Sequence, residues 1–291
     1  LWRRGAQGAD DKIYRVGALQ VHHRRGERRP IQSAVAMDMF CRDQTAAHGA
    51  ITAGKNWHIG APRQFANLPR IEAYSRDLTG DFAILVNIPA AQLETVEYGH
   101  VYSRHNIVVG KLERPSPTLA SKVSDINFNP YWKIPASIVE RDIVPKYMAD
   151  PNYLVDNHIR IFDGVEGPEI DPALIDWTTT PPERYFFRQE PGQHNSLGSV
   201  KINFPNEFMV YMHDTPHREL FGRNVRFESS GCVRIDQVQT VVKWILDRTQ
   251  APLDEASYQN LVNSTEQFDQ QIENGPDVRW MYLTAWATED G

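Results

Sequence analysis

From residue 81 onward the apolar positions fall in short runs rather than at helical spacing. Ile84-Leu85-Val86-Asn87-Ile88 and Val108-Val109 are such runs, and Pro89, Gly99, Gly110 and Pro115 punctuate them. This pattern predicts short β-strands. Residues 207–213 mix β-branched, aromatic and apolar side chains after the break at Pro205-Asn206, which predicts a further strand. Alternation puts Tyr211 and His213 on one face of it and Met212 on the other. Asp214-Thr215-Pro216 ends this strand, so His213 is expected at its rim.

Helical spacing returns at Val238, Val241, Val242, Ile245 and Leu246, with Asp236 as the expected cap. Ser137 is expected to cap a helix over 138–144 that ends or bends at Pro145. Another helix is expected from 254 to about 272, before a closing strand around 278–287. Residues 145–196 are long, polar and rich in Pro, Asp and aromatic side chains, as expected of a lid. Residues 1–78 are read as a small, mainly helical region, with a lead-in helix at 64–76 interrupted at Pro69. Residues 79–291 are read as one catalytic domain.

With 291 residues, 41% of them hydrophobic, the chain has room for one large domain and a smaller piece. The formal net charge of −6 argues against generic nucleic-acid binding. Residues 1–29 hold eight Lys or Arg against three acids, a net +5, so the remainder carries −11. That arm could touch an anionic polymer or lipid headgroups, though a solvated arm is the favoured reading. No apolar run approaches the ~18 residues that would span a bilayer. The chain starts at Leu1 rather than Met, so a secretory signal or membrane anchor is expected to lie outside it. Cys41 and Cys232 are the only cysteines, too few for a disulfide scaffold. A bridge between them would block thiol chemistry, so Cys232 is predicted to be free.

Cys232, His213 and Gly231 are the groups with candidate chemistry. A thiol needs a neighbouring base or a lowered pKa to be a nucleophile. Eighteen residues lie between His213 and Cys232, so adjacent strands joined by a loop would bring the two together. Gly231 lets the backbone approach a substrate, and the Gly231 and Cys232 amides, helped by Tyr211, are the candidate oxyanion donors. Taken alone, the cysteine could equally be a small buried hydrophobe and the histidine a structural residue. A zinc site from His213, His217 and Cys232 is disfavoured, since the chain has no C-x-x-C or H-E-x-x-H spacing.

His213-Asp214-Thr215-Pro216, then Ser229-Ser230-Gly231-Cys232-Val233-Arg234, resembles the signature of the L,D-transpeptidases (YkuD-type catalytic domain). Fifteen residues separate His213 from Ser229. Ser230 stands where the family usually has His, and Arg234 where it often has Asn, as in the larger, periplasmic branch of the family. Arg114-Pro115-Ser116-Pro117 is similar to that branch's R-x-T-P turn, and residues 126–138 to its N-P-x-W-x-x-P-x-S-I segment. Residues 188–192 and 197–201 resemble its return from lid to core, and 281–286 its last core strand.

The resemblance implies an α+β fold: mixed sheets or a β-sandwich with flanking helices and a lid insertion at about 145–196. It also implies a peptidoglycan enzyme that needs no cofactor or metal. Cys232 would attack a tetrapeptide donor and His213 would handle the proton, either as a base or paired with a thiolate. A diaminopimelate amine on a second stem peptide would resolve the thioester into a 3→3 cross-link. Trp132, Ser230 and Arg234 are the expected substrate-binding residues; Trp132 could instead pack under the lid, and Arg234 could order the turn. Carbapenem β-lactams are expected to acylate Cys232, and the protein is expected in the periplasm or envelope of a Gram-negative bacterium. Hydrolysis of the same bond, as an L,D-carboxypeptidase or endopeptidase, is the alternative within the enzyme class; a non-catalytic wall-binding protein is the alternative outside it. Residues 16–26 faintly resemble the helix of a peptidoglycan-binding module.

Overall fold

The computed structural model of the chain describes residues 80–249, 252–264 and 266–284, with the backbone of Asp11–Val16 and Leu19–Arg24. Two compact units result. One comprises Leu1–Ala83, Thr95–Tyr102 and Tyr282–Gly291, the other Ile84–Glu94 and Ser103–Met281. In the first unit, strand β1 (Asp11–Val16) pairs antiparallel with β2 (Leu19–Arg24), Val16 facing Leu19. The helical reading of 1–78 therefore fails over these residues. Ile13, Tyr14, Val16 and Val21 are residue types that favour strands. The rest of 1–78, including the expected helix at 64–76 and Cys41, lies outside the described residues.

The second unit is built on a mixed sheet. Its central part runs from β7 (Asp125–Phe128) through β11 (Val200–Asn203), β12 (Met212–His213) and β14 (Val233–Ile235) to β5 (His100–Gly110). The β12–β14 pair is parallel, while β11–β12 and β14–β5 are antiparallel. Ile107, Val108, Ile126, Ile202, Met212 and Val233 are all fully buried along these strands. The helix Val238–Arg248 buries the predicted stripe of Val238, Val241, Val242, Ile245 and Leu246. Each such side chain contributes about 1.5–3 kcal/mol. No helix of the described residues is long and apolar enough to cross a membrane.

Three local expectations are corrected. The helix at 238 has Gln237 at its N-cap, in the left-handed region at φ 52°, rather than Asp236. Asp236 is instead tied to β5, its N–H donating to Asn106 O and its carbonyl accepting from His105 Nδ1. The helix capped by Asp254 stops at Asn263, because the Asn129 amide donates to Leu261 O and Glu266 O just beyond; the chain then forms β15 (Phe268–Gln271) on β7. The strand expected at 207–213 is reduced to Met212–His213. Asn206 Oδ1 accepts from Phe208 N and Val210 N and coils the chain into a local turn, in the way such side chains compete with a ladder.

The insertion begins earlier than residue 145 and has a core of its own. Strands β8 (Trp132–Lys133), β9 (Ile159–Phe162) and β10 (Phe186–Gln189) form a separate antiparallel sheet in the order β8-β10-β9. Ile134, Val139, Ile143, Leu154, Ile161 and Phe187 pack together on it, with Trp132 and Trp177 against them. Helical residues 136–149 include a π segment, Val139–Ile143, just before Pro145. Ser137 lies inside this helix rather than capping it. Pro145 lacks the N–H that would reach Arg141 O; the wider turn lets the helix continue past it, with Val144 N–H donating to Val139 O. At the exit, Asn195 Nδ2 donates to Pro130 O (2.9 Å) and Glu190 O (3.0 Å), while its Oδ1 accepts from Leu197 N. One buried amide thus joins the entry and the exit of the insertion.

Candidate active site

Parallel pairing of β12 with β14 sets His213 opposite Arg234, and antiparallel pairing of β11 sets Lys201 opposite His213. Residues paired in this way project from the same face of a sheet. Lys201, His213 and Arg234 therefore form a row across three adjacent strands. Cys232, two residues before Arg234, and Tyr211, two before His213, fall on the same face one step along. The ladder extends to them through Val233 N–H donating to Tyr211 O (3.1 Å). The Tyr211 and His213 rings meet edge to face, 5.7 Å between centroids.

His213 is buried, and its Nδ1 lies 2.5 Å from Asp214 O. A carbonyl only accepts, so Nδ1 carries the hydrogen and Nε2 is left as the basic nitrogen. Asp214 is itself fixed: its buried carboxylate accepts from Ser199 N, Ser199 Oγ and Arg218 Nη2 at 2.9–3.0 Å. Arg218, largely exposed, thereby helps hold the histidine's support. A Cβ at Gly198 (φ 61°) would sit 2.5 Å from Asp214 Oδ2, so only glycine leaves room for this carboxylate.

The turn bearing the nucleophile is held by two buried hydroxyls. Ser116 Oγ donates to Gly231 O (2.7 Å) and accepts from Gly110 N, and Ser229 Oγ donates to Cys232 O (2.6 Å). Gly231 adopts φ 114°, and a Cβ there would meet only ordinary contacts. Backbone handedness, not space, therefore demands glycine at this position. The Gly231 N–H is engaged with Ser229 Oγ at 3.2 Å. Of the two expected oxyanion donors, the Cys232 N–H is the one with no hydrogen-bond partner among the described residues.

Cys232 is a free thiol, half-buried as a residue. Burial pushes it up to about 11, against the Tyr211 N–H, the Lys201 charge, the Tyr211 hydroxyl and the Arg234 charge. Burial, then Arg234 and Lys201, holds His213 down at about 3 despite the Asp214 carbonyl. The resting centre is thus a thiol beside a neutral imidazole, with no hydrogen bond yet joining the two side chains. Of the two expected roles for His213, this favours the base over the ready-made ion pair. Apo sites commonly tighten such contacts only when substrate binds.

Over residues 81–253 the sequence matches the YkuD family, described as L,D-transpeptidase catalytic domain. The chain belongs to this family. A Haemophilus influenzae protein named "Putative L,D-transpeptidase" is 34% identical over 204 residues, 70% of this chain and 41% of that protein. The chain thus spans less than half the length of this curated relative. An L,D-transpeptidase structure from Mycobacterium smegmatis aligns over 70% of this chain and 59% of its own, at 11% identity and a TM-score of 0.34. L,D-transpeptidase 3 from Mycobacterium tuberculosis, in complex with a faropenem-derived adduct, aligns over 69% and 60%, at 13% identity and 0.32. Superpositions this loose bear on no residue's role.

Within this YkuD domain the remaining expected residues fall in different places. Trp132 packs against the insertion core, and its buried indole N–H has no hydrogen-bond partner among the described residues. Ser230 is exposed, apart from these groups. Arg234 does not order the turn through hydrogen bonds, since its Nε is buried with no partner. His217 is exposed and 3.6 Å from Glu219; among the described residues no His, Cys, Asp and Glu cluster is arranged to hold a metal. Sequence reasoning missed Lys201, Ser116 and Ser199. The alternation of Ser199 and Lys201, directly after Gly198, was the available signal for two of them.

Proposed function

We propose that this YkuD domain is a peptidoglycan L,D-transpeptidase acting through a thioester on Cys232. The observation that carries the reading is the placement of a free thiol on the sheet face shared with an imidazole whose Nδ1–H is fixed and whose Nε2 is basic. Nε2 takes the thiol proton as Sγ attacks the carbonyl between the L-centre of diaminopimelate and the terminal D-residue of a tetrapeptide stem. The C–N bond breaks, and the imidazolium returns that proton to the departing amine. The amine of a second stem then attacks the thioester, forms the 3→3 amide and releases the thiol. The Cys232 N–H is the best-placed donor for the tetrahedral oxyanion, with the Tyr211 hydroxyl nearby. Such chemistry belongs to the cell envelope, and the proposal puts the protein in the periplasm of a Gram-negative bacterium, the compartment that the H-D-T-P…S-S-G-C-V-R resemblance implies.

Intact mass after incubation with meropenem tests the nucleophile. A stoichiometric adduct is expected on the protein and none on Cys232→Ala; equal labelling of both would refute the assignment. Incubation with tetrapeptide muropeptides tests transfer. Cross-linked dimers are expected, and trimmed monomers alone would replace transfer with hydrolysis.

A further inference from the structure

The two cations flanking His213 share only the Cys232 sulfur as a potential anion and have no carboxylate partner among the described residues. Neither the Lys201 ammonium nor the Arg234 guanidinium makes a hydrogen bond or ion pair among the described residues; Lys201 Nζ lies 4.4 Å over the Tyr211 ring, and Arg234 Nε is buried unpartnered. Both residues are half-buried. Other arginines in the structure are matched, Arg104 with Glu94, Arg114 with Asp142 and Arg218 with Asp214. Desolvating two like charges side by side costs free energy unless a ligand answers them.

The chemistry above dictates where an anion would lie. The scissile carbonyl must sit at Cys232 Sγ and the departing nitrogen at His213, which returns its proton. In a terminal D-amino acid the carboxylate is one carbon from that nitrogen, so it falls beside His213. Strands are ~4.8 Å apart, which puts the Lys201 and Arg234 backbones roughly 10 Å from each other with His213 between. Two long side chains can close on a carboxylate across that gap.

We propose that Lys201 and Arg234 form a two-sided clamp for the free carboxylate of the donor peptide's terminal residue, one cation on each side of His213. This rests on the donor reading above and deepens it by naming what the site recognises. The clamp also couples binding to catalysis. Burial, with Arg234 and Lys201 adding to it, keeps His213 unprotonated, and a carboxylate between the two cations cancels their share and makes the imidazole a stronger base. Asp125, Cys232, Lys133 and Asp269 also act on Lys201, and Cys232, Glu228 and Glu219 on Arg234, with none of them in an ion pair with either cation.

Calorimetry on the Cys232→Ala protein tests this without turnover. The probes are the tetrapeptide stem ending in D-alanine and the same peptide ending in D-alaninamide. The carboxylate form is expected to bind at least about tenfold tighter, the scale of a charge-assisted hydrogen bond. Adding Lys201→Met or Lys201→Gln should bring the two peptides within about threefold, while Lys201→Arg keeps the preference. Equal binding of both peptides by the parent, or full preference in both neutral variants, overturns the clamp. Binding of neither peptide overturns the donor reading and the clamp with it. Alkylation by uncharged iodoacetamide separates the roles: a Lys201→Met protein that only alkylates more slowly and still prefers the carboxylate has lost an electrostatic aid to the thiol, not a clamp.

Discussion

Burial takes both reactive side chains away from their charged forms, the thiol upward and the imidazole downward, and the two shifts set the pH behaviour. A thiol near 11 is ionised to roughly one part in ten thousand at pH 7. The rate of Cys232 alkylation by iodoacetamide in the free protein is therefore expected to rise about tenfold per pH unit from 7 to 10. A plateau near 8.5 would contradict the burial argument. His213, held near 3, is unprotonated throughout the neutral range, so kcat/KM should show no inflection near 6.5. Removing the base by His213→Gln should lower the rate about 10²–10⁴-fold, measured as carbapenem acylation. The pair itself was readable from spacing and alternation. Lys201 was not, because its relation to His213 exists only in the β11–β12 register, which no local pattern encodes.

Elements communicate with the nucleophile through the turn at 114–117. Arg114 grips the Asp142 carboxylate with both terminal guanidinium nitrogens, and Asp142 lies in the π segment at the base of the insertion. Two residues on, Ser116 holds the Gly231 carbonyl. A short path of one ion pair, two residues of chain and one hydrogen bond thus links insertion helix, turn and the residue before Cys232. The Arg114 hydrogen bond holds the Asp142 carboxyl below its ordinary 3.8. A depressed folded pKa contributes stability that is present above 3.8 and lost as pH falls through the folded value. The melting-temperature gap between the protein and Asp142→Asn should accordingly be widest above pH 4 and close below it; a gap independent of pH would show the pair to be inert. Ser116→Ala leaves Gly231 O and Gly110 N–H buried without this partner, a loss of about 1–3 kcal/mol in denaturant unfolding. At this scale the R-P-S-P turn was visible in the sequence, but its purpose was not. The strand misread at 207–211 has the same origin: the Asn206 side chain decides the backbone there, and propensity does not register such a bond.

Across the second unit, the insertion keeps an apolar cluster separate from the helix Val238–Arg248 and the strands beneath it. Composition marked the segment as a polar loop because its core residues, from Ile134 to Phe187, are scattered among Pro and Asp rather than set at a regular spacing. Phe187→Ala should cost about 3–5 kcal/mol of that cluster's stability. Hydrogen exchange should then accelerate within 134–187 and stay slow in 238–248; uniform acceleration would mean that the two regions unfold as one. The Asn195 side chain gives this separation a further meaning. Because one amide clasps the chain at both Pro130 and Glu190, everything between leaves and rejoins the sheet at a single point. The intervening residues can be exchanged as a cassette, so homologous chains are free to graft different roofs onto an unchanged floor of catalysis.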